Sequence, residues 1–217
     1  MKYLSTIFVI PVLLLVGCAT STVTTPASLS DAVYYSSDPV AKTVNIAFSS
    51  AVADTSIRPL YFKKNGEQIQ GTGDQWEVNH VNSVDQMFQE FISSVFAGPG
   101  DDVQVELRLL EVDIRSENQD SGGRQFMVAM AGGELTSIKS VRQRAQITLH
   151  YNGEKHDKLL VGTASTSDVD GLGTGTETSN FYRGQQSDEM IYGRLLNDSS
   201  NKLVLQASQF IRSLEIE

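Results

Sequence analysis

Residues 103–115 read VQVELRLLEVDIR and have the alternation of a long strand. Apolar and polar residues alternate up to Leu109, which is the period of a strand with one buried face. From Leu110 onward the apolar residues occupy the opposite phase. A strand keeps one face buried across such a shift only if a β-bulge adds a residue. The pattern therefore predicts one long strand with a bulge near Leu109 and Leu110.

A β-hairpin is predicted after this strand. Residues 141–151 alternate again, and Asn152 with Gly153 is a strong hairpin signal. The register of the return strand stays open at this point. A two-residue loop would place His156 opposite Leu149, whereas a longer loop would not.

Two amphipathic helices accompany the strands. Residues 83–97 carry apolar side chains at helical spacing, and Ser83 is placed to cap the first turn. The glycine and proline residues 98–100 are expected to end this helix. A second helix is expected over about residues 187–213. The polar run 197–201 within it is poorly helical and is expected to kink or split it.

The order of these elements predicts the fold class. A strand near Val44, a helix, a long strand, a hairpin and a final helix indicate an α+β fold. We expect a mostly antiparallel sheet with two helices packed on one face. The chain has 217 residues, of which 40% are hydrophobic, enough for one core without disulfides or metals. The predicted single domain covers residues 40–217.

The N-terminus has the pattern of an export signal. Lys2 precedes an apolar run over residues 7–16, and the small residue Gly17 follows. The run is shorter than the roughly 20 apolar residues that a membrane-spanning helix needs. Residues 1–17 are therefore predicted to be a signal peptide, and the rest of the chain is expected outside the inner membrane.

The end of this signal resembles the bacterial lipobox, since it reads Leu15-Val16-Gly17-Cys18. The resemblance implies cleavage between Gly17 and Cys18, a diacylglycerol on the Cys18 sulfur, and a further acyl chain such as palmitate on the new amino group. Cys18 is also the sole cysteine of the chain, so acylation removes an unpaired thiol from an oxidising compartment. Ala19 follows where an aspartate would imply retention at the inner membrane. The resemblance therefore implies the periplasmic face of the outer membrane rather than the outer leaflet of the inner membrane.

Residues 18–39 are predicted to be the lipidated N-terminus followed by a flexible tether. Residues 19–28 are rich in serine and threonine and have almost no large apolar side chain. Such a segment buries too little surface to offset the entropy of ordering it. Ten extended residues would span roughly 35 Å and let the domain stand off the membrane.

The composition and motifs exclude several functions. With a formal net charge of −9, the chain is not expected to bind nucleic acid. It has no Gly-x-Ser-x-Gly elbow, no P-loop lysine beside the glycines of residues 171–175, and too few acids around Asp168 and Asp170 for an EF-hand. We therefore predict a protein that is not an enzyme and has no catalytic residue, cofactor or metal. The histidines that lack zinc-enzyme spacing are His80, His150 and His156. The acidic residues spaced like solvent-facing ones are Glu106, Glu111 and Asp113.

One segment suggests a contact beyond packing. Residues 126–133 read FMVAMAGG, an apolar run flanked by double glycines. Methionines adapt to irregular partners, and glycine borders permit movement. The run is interpreted either as a buried helix or strand or as a contact with a partner or membrane. The candidate contact residues are Phe126, Met127, Val128 and Met130.

The predicted layout resembles that of small outer-membrane lipoproteins that accompany lipid-transport machinery. These include the auxiliary lipoproteins of ABC-type transporters and uncharacterised enterobacterial-type lipoproteins. The resemblance covers roughly residues 40–212 and implies a non-catalytic accessory or scaffold subunit, bound to a cell-envelope complex through a sheet edge or helix face. One alternative is a carrier of lipid or a small apolar ligand, with a cavity lined by Phe88, Phe91 and Phe210. Another is an oligomer that inserts the Phe126–Met130 run into the membrane.

Overall fold

The computed structural model describes residues 20–25, 39–69, 75–118, 137–167, 188–214 and 216. Within these residues the chain forms strands, two α-helices and one short 3-10 turn. In chain order the elements are β1 (Thr20–Thr24), β2 (Val40–Ser50), the 3-10 turn (Asp54–Ser56), β3 (Pro59–Phe62), β4 (Gln68–Ile69), β5 (Gln75–Asn79), α1 (Val81–Val95), β6 (Phe96–Pro99), β7 (Val103–Asn118), β8 (Ser137–Tyr151), β9 (Glu154–Ser165) and α2 (Asp188–Arg212).

Strand β7 organises a seven-stranded sheet. Along one side it pairs with β8, which in turn pairs with β9. Along the other side its first half pairs with β2 and its second half with β3. Strand β6 then pairs with the free side of β2, and β4 pairs with the free side of β3. The pairings β2–β6, β2–β7 and β3–β7 are parallel, and β3–β4, β7–β8 and β8–β9 are antiparallel. The fold is α+β as predicted, but the sheet is mixed rather than mostly antiparallel. The reason is that α1 lies between β2 and β7 in the chain. The connection through α1 brings the chain back to the end of the sheet where β2 began, so β7 runs parallel to β2.

The bulge predicted in the long strand is confirmed. Leu109 pairs with Ala145 and Glu111 with Arg144, so Leu110 is the extra residue on β7. Before the bulge the odd-numbered residues of β7 are buried, and after it Ile114 is buried instead. Strand β8 keeps one phase throughout, because it carries no inserted residue. The bulge therefore keeps the buried side chains of both halves of β7 on the same face of the sheet.

The β8–β9 hairpin has the two-residue loop, and this decides the register that the sequence left open. Tyr151 pairs with Glu154, and Leu149 lies opposite His156. Asn152 and Gly153 adopt φ angles of 51° and 80°, the left-handed conformation that a tight hairpin turn requires at both positions.

Helix α1 begins and ends two residues earlier than the predicted bounds of 83–97. Ser83 lies inside the helix, and the predicted Ser83 cap is wrong. The side chain of Asp54 takes that role instead, because its Oδ1 accepts hydrogen bonds from the backbone N–H groups of His80 and Val81, each at 2.9 Å. A carboxylate from the 3-10 turn thus satisfies the free donors at the helix start and suits the positive end of its dipole.

Both helices pack on one face of the sheet and share a core. Phe88 and Phe91 of α1 and Leu203 and Ala207 of α2 lie in one buried cluster with residues of β7, β8 and β9, among them Leu107. Helix α2 is continuous from Asp188 to Arg212, so the split predicted at residues 197–201 is wrong, and the alternative of a kink stays a prediction. Ser199 and Ser200 of that run are buried in the core, where their hydroxyl groups form hydrogen bonds with the side chain of Gln143. In the described part of the chain, neither helix is both long and apolar enough to cross a membrane.

Helix α2 also closes the outer edge of β9. The Gln206 side chain accepts a hydrogen bond from Val161 N (3.1 Å) and donates one to Val161 O (2.8 Å). The ammonium group of Lys202 donates to Thr163 O at 2.5 Å. These side chains occupy backbone groups that another strand would use, so this part of the edge is protected from strand addition.

Part of the predicted tether is folded. Residues 20–24 form β1, which pairs in parallel with β5 as a separate two-stranded sheet. Val23 is 0% exposed and Thr25 is 3% exposed. The expectation of a flexible tether over residues 18–39 is therefore wrong for residues 20–25, because one valine and one threonine bury enough to anchor them. Residues 26–38 lie outside the described part.

Candidate functional site

The predicted lipidation site and the predicted contact run lie outside the described residues. This applies to Gly17 and Cys18 and to the run that holds Phe126, Met127, Val128 and Met130. The described structure begins at Thr20, two residues after Cys18. The candidate site among the described residues is therefore the attachment of this N-terminal segment to the domain.

Strand β1 is attached through its one large apolar side chain. Val23 lies opposite Val78 of β5 and packs into a cluster that includes Ile191 and Tyr192 from the start of α2. The neighbouring Thr22 is exposed. Full burial of a valine contributes about 1.5–3 kcal/mol, so this contact is the main apolar attachment of the strand.

Thr25 attaches the same segment through hydrogen bonds. Its hydroxyl lies 3.2 Å from Nδ1 of His80, and its carbonyl oxygen accepts a hydrogen bond of 2.9 Å from the Ser83 hydroxyl. All three residues are buried. Buried hydrogen bonds are costly to break without replacement, so they add specificity to the position of β1.

His80 connects this contact to the middle of α2 through Gln143. The Gln143 amide nitrogen donates to Leu196 O at 3.0 Å, and Ser199 Oγ and Ser200 Oγ lie 2.5 and 3.0 Å from it. Because a carbonyl oxygen can only accept, the amide nitrogen must face the helix and Oε1 must face His80. We name the set the polar network; its members are Thr25, His80, Ser83, Gln143, Ser199 and Ser200.

The polar network also fixes the tautomer of His80. Nε2 of His80 lies 2.9 Å from Oε1 of Gln143, which can only accept, so Nε2 carries the proton. Nδ1 then accepts from the Thr25 hydroxyl. Burial lowers the pKa of His80, and this effect exceeds the opposing effects of the Gln143 hydrogen bond and of Asp54. His80 is thus a neutral structural group that joins β1, β8 and α2.

The stability of the domain is expected to fall as pH drops below neutrality. The folded pKa of His80 lies below its ordinary value of 6.5, so the unfolded chain binds a proton more readily. The loss of stability begins as the pH falls to about the ordinary pKa of histidine, and it is complete once the pH is below the folded pKa of His80. We expect the free energy of unfolding, measured with urea, to be lower at pH 5.5 than at pH 7.5, by no more than about 1.4 kcal/mol for this one group.

Two histidine variants test this pH effect. His150→Gln, at an exposed position on β8, should keep the wild-type difference between the two pH values. His80→Gln should be less stable at both pH values and should lose most of the difference. An unchanged difference in His80→Gln would assign the pH effect to another group.

The residues proposed to line a ligand cavity belong to the packed core. Phe88 is 0% exposed, Phe91 1% and Phe210 8%. All three lie in the cluster that α1 and α2 form with the sheet. The Nζ atom of Lys158 lies 5.6 Å from the centre of the Phe210 ring, at the edge of this cluster. Such packing disfavours the carrier hypothesis, which requires space between helices and sheet.

The sheet face that the helices do not cover, here called the outer face, is polar. Arg144 pairs with Glu111 at 3.2 Å and Arg115 with Asp113 at 2.7 Å. Glu106 and Glu111 are exposed as expected, whereas Asp113 is mostly covered. A depression of about 260 Å³ lies on this part of the sheet; it is lined by Asp113, Arg115, Ser140, Val141, Arg142, Thr163, Ala164 and Ser165. The pair of Arg144 and Glu111 is exposed on both sides and contributes at most about 1 kcal/mol.

No metal centre is found among the residues that the structure describes, since no three of their histidine, aspartate and glutamate side chains are grouped to hold an ion. His150 is exposed on β8. His156 lies 3.5 Å from Glu154 at the hairpin. His80 belongs to the polar network and is therefore already occupied by hydrogen bonds.

The comparisons with known proteins give structural likenesses only. No protein-family model matches the sequence, and no curated protein does. The fold is similar to a crystal structure described only as an uncharacterized protein, with 9% identity and a TM-score of 0.43 over 91% of this chain and 100% of the other. It is similar to a DUF330 protein from Xanthomonas campestris, with 12% identity and a TM-score of 0.44 over 90% and 99%. It is also similar to the rare lipoprotein B from Shewanella oneidensis, with 8% identity and a TM-score of 0.32 over 78% and 98%. Likenesses at this level assign neither a family nor a function.

The polar network is not evident from the amino-acid sequence. Gln143 alternates with the more exposed residues of β8, and serines 199 and 200 lie in a run whose composition favours a helix break. A glutamine at a core position of a strand is a signal of an internal partner, because a buried amide is costly unless it is hydrogen-bonded. Nothing in the sequence indicates which residues would supply the partners.

Proposed function

We propose that this protein is a bacterial lipoprotein, anchored through acylated Cys18 at the periplasmic face of the outer membrane, that serves as a non-catalytic accessory or scaffold subunit of a cell-envelope complex. The observation that carries the proposal is the sequence Leu15-Val16-Gly17-Cys18 after an export signal, in a chain with one cysteine. Several acyl chains on one residue anchor a protein far more firmly than one.

Two features of the described structure bear on how such a subunit would bind its partner. The β9 edge is closed by Gln206 and Lys202, which disfavours strand addition over residues 161–163. The core is packed around both helices, which disfavours the ligand carrier. A partner that binds the folded surface of the domain, such as a helix face, agrees better with both observations than an added strand or an internal ligand does. The alternative of membrane insertion by Phe126–Met130 concerns residues outside the described part and stays a proposal.

The anchor is tested by Cys18→Ser. We expect metabolic palmitate labelling to disappear and the protein to leave the membrane fraction, because no other cysteine can take its place. Thr22→Ala, an exposed change four residues later, is the matched control and should keep both the label and the fractionation. If the Cys18→Ser variant is still labelled and still membrane-bound, the chain is not anchored in this way.

The accessory role is tested by purifying the mature protein from cross-linked envelopes, with mass spectrometry and lipid extraction on the same sample. We expect a stoichiometric membrane-complex partner and no lipid beyond the anchor. Phospholipid that copurifies with the soluble Cys18→Ser domain, in the absence of a partner, would instead support the carrier. Density-gradient separation of inner and outer membranes in the same preparation tests the implication of Ala19.

A further inference from the structure

The distance from the anchor to the folded domain is set by where β1 begins. If Cys18 carries the lipid, two residue steps separate it from Thr20, the first residue of β1. Two extended residues span at most about 7 Å. If β1 were not docked, the chain from Cys18 to Val40 could extend to about 75 Å. The docking of β1 therefore decides whether the domain is held at the bilayer or stands away from it.

The course of β1 identifies which end of the domain is near the anchor. Thr25 is linked to the middle of α2 through His80 and Gln143. Val23, two residues earlier, packs with Ile191 and Tyr192 near the start of α2. The strand thus runs from the end of the domain where α2 begins towards its middle, and Thr20 lies at that end.

Two exposed positions mark this end and the opposite one. Ser167 follows β9 where Thr166 N donates to Lys139 O (2.9 Å), and Lys139 pairs with Asp188 in the first turn of α2 (2.8 Å). Glu154 lies beyond the β8–β9 turn, at the far end of β8. The 15 residues of β8 separate the two ends by about 45 Å.

We propose that β1 acts as a short membrane spacer: docked by Val23 and Thr25, it holds the domain against the lipid surface with the start of α2 facing the bilayer and the β8–β9 turn pointing away. This inference rests on the proposed acylation of Cys18. The partner of this end of the domain is the lipid surface, because the chain between anchor and strand is too short to reach any other. A scaffold held in this way presents the same side to its complex in every copy.

The experiment measures energy transfer from the domain to the membrane. The acylated full mature chain is incorporated into phosphatidylethanolamine–phosphatidylglycerol vesicles that contain a lipid-bound acceptor. A donor dye is attached at Ser167→Cys or at Glu154→Cys, one position per sample. We expect strong transfer from position 167 and much weaker transfer from position 154.

Releasing β1 should remove this difference. Val23→Asp places a charge at a position with 0% exposure, and Thr22→Asp places the same charge on the exposed neighbour of the same strand. We expect Val23→Asp to bring the two donor positions to similar, weaker transfer and Thr22→Asp to keep the wild-type difference. A ten-residue glycine–serine insertion between Ala19 and Thr20 lengthens the spacer without altering the domain, so it serves even if Val23→Asp does not fold. The insertion should weaken transfer from position 167.

The outcomes distinguish a failure of the spacer proposal from a failure of the proposed acylation of Cys18. Equal transfer from both positions in the wild-type chain would overturn the spacer proposal, and so would an insertion variant that behaves like wild type. A wild-type chain that carries no acyl groups by mass spectrometry and does not float with the vesicles would instead overturn the proposed lipoprotein function. In the first case the chain is membrane-bound but its domain is not held.

Discussion

Replacing Gly162 with alanine is expected to lower the free energy of unfolding by about 3 kcal/mol, in the upper range for an overpacked core. A Cβ atom at this position of β9 would overlap the carbonyl oxygen of Ser199 and lie 2.9 Å from its carbonyl carbon. The colliding atoms belong to the backbone of α2, so no side chain can rotate away. The helix would have to move off the sheet, and the contact with Leu203 would be lost with it.

The measurement is urea unfolding of the mature protein followed by circular dichroism. Thr163→Ala is the matched control, because it changes the next residue of β9, whose side chain is exposed. It should alter the free energy of unfolding by no more than about 0.5 kcal/mol. If Gly162→Ala is as stable as this control, α2 does not press on β9 at Gly162.

The parts of the fold that could be predicted are those whose cause is local. The phase shift at Leu109 and Leu110 has one structural solution, a bulge, and the structure contains it. Asn152 and Gly153 tolerate the left-handed backbone that a two-residue hairpin needs. The apolar stripe of α1 could be assigned in the same way, since helical spacing leaves one face for burial.

The parts that could not be predicted depend on partners distant in the chain. The cap of α1 comes from Asp54, 27 residues before Val81. The direction of β2 relative to β7 follows from the path of the chain through α1 rather than from the alternation in either strand. Strand β1 has one large apolar residue, Val23, and its burial depends on a cluster formed by α2. Only its β-branched composition, with three threonines and a valine, favoured a strand.

The candidate site also has one part that could be predicted from local sequence and one part that depends on residues distant in the chain. The lipobox residues are a local motif, so they could be assigned to a chemistry from the sequence. The polar network joins Thr25, His80 and Gln143, which are separated by 55 and 63 residues. Its members are ordinary polar residues, and their burial becomes evident only when the strands and α2 are assembled.

Replacing Gln143 with alanine is expected to cost about 3 to 4 kcal/mol of unfolding free energy and to loosen the N-terminal strand. Gln143 is 0% exposed and bonds His80 on one side and Leu196, Ser199 and Ser200 on the other. Alanine would leave a cavity together with a buried imidazole N–H that has lost its acceptor. Each buried polar group left unsatisfied costs about 1–3 kcal/mol. His80 also positions Thr25, so the loss should reach β1.

Two further variants separate the causes of this loss. Gln146→Ala removes a glutamine from the other side of β8, which contacts Asp157 at the surface, and should change stability by no more than about 0.5 kcal/mol. Gln143→Leu keeps most of the volume but none of the hydrogen bonds. If stability returns in Gln143→Leu, the cavity dominates; if it stays low, the hydrogen bonds do. Limited proteolysis supplies the second measurement, because a released β1 exposes residues 20–25 to cleavage. Faster cleavage there in Gln143→Ala, with Gln146→Ala unchanged, would show that the amide holding α2 to the sheet also holds the segment that follows Cys18.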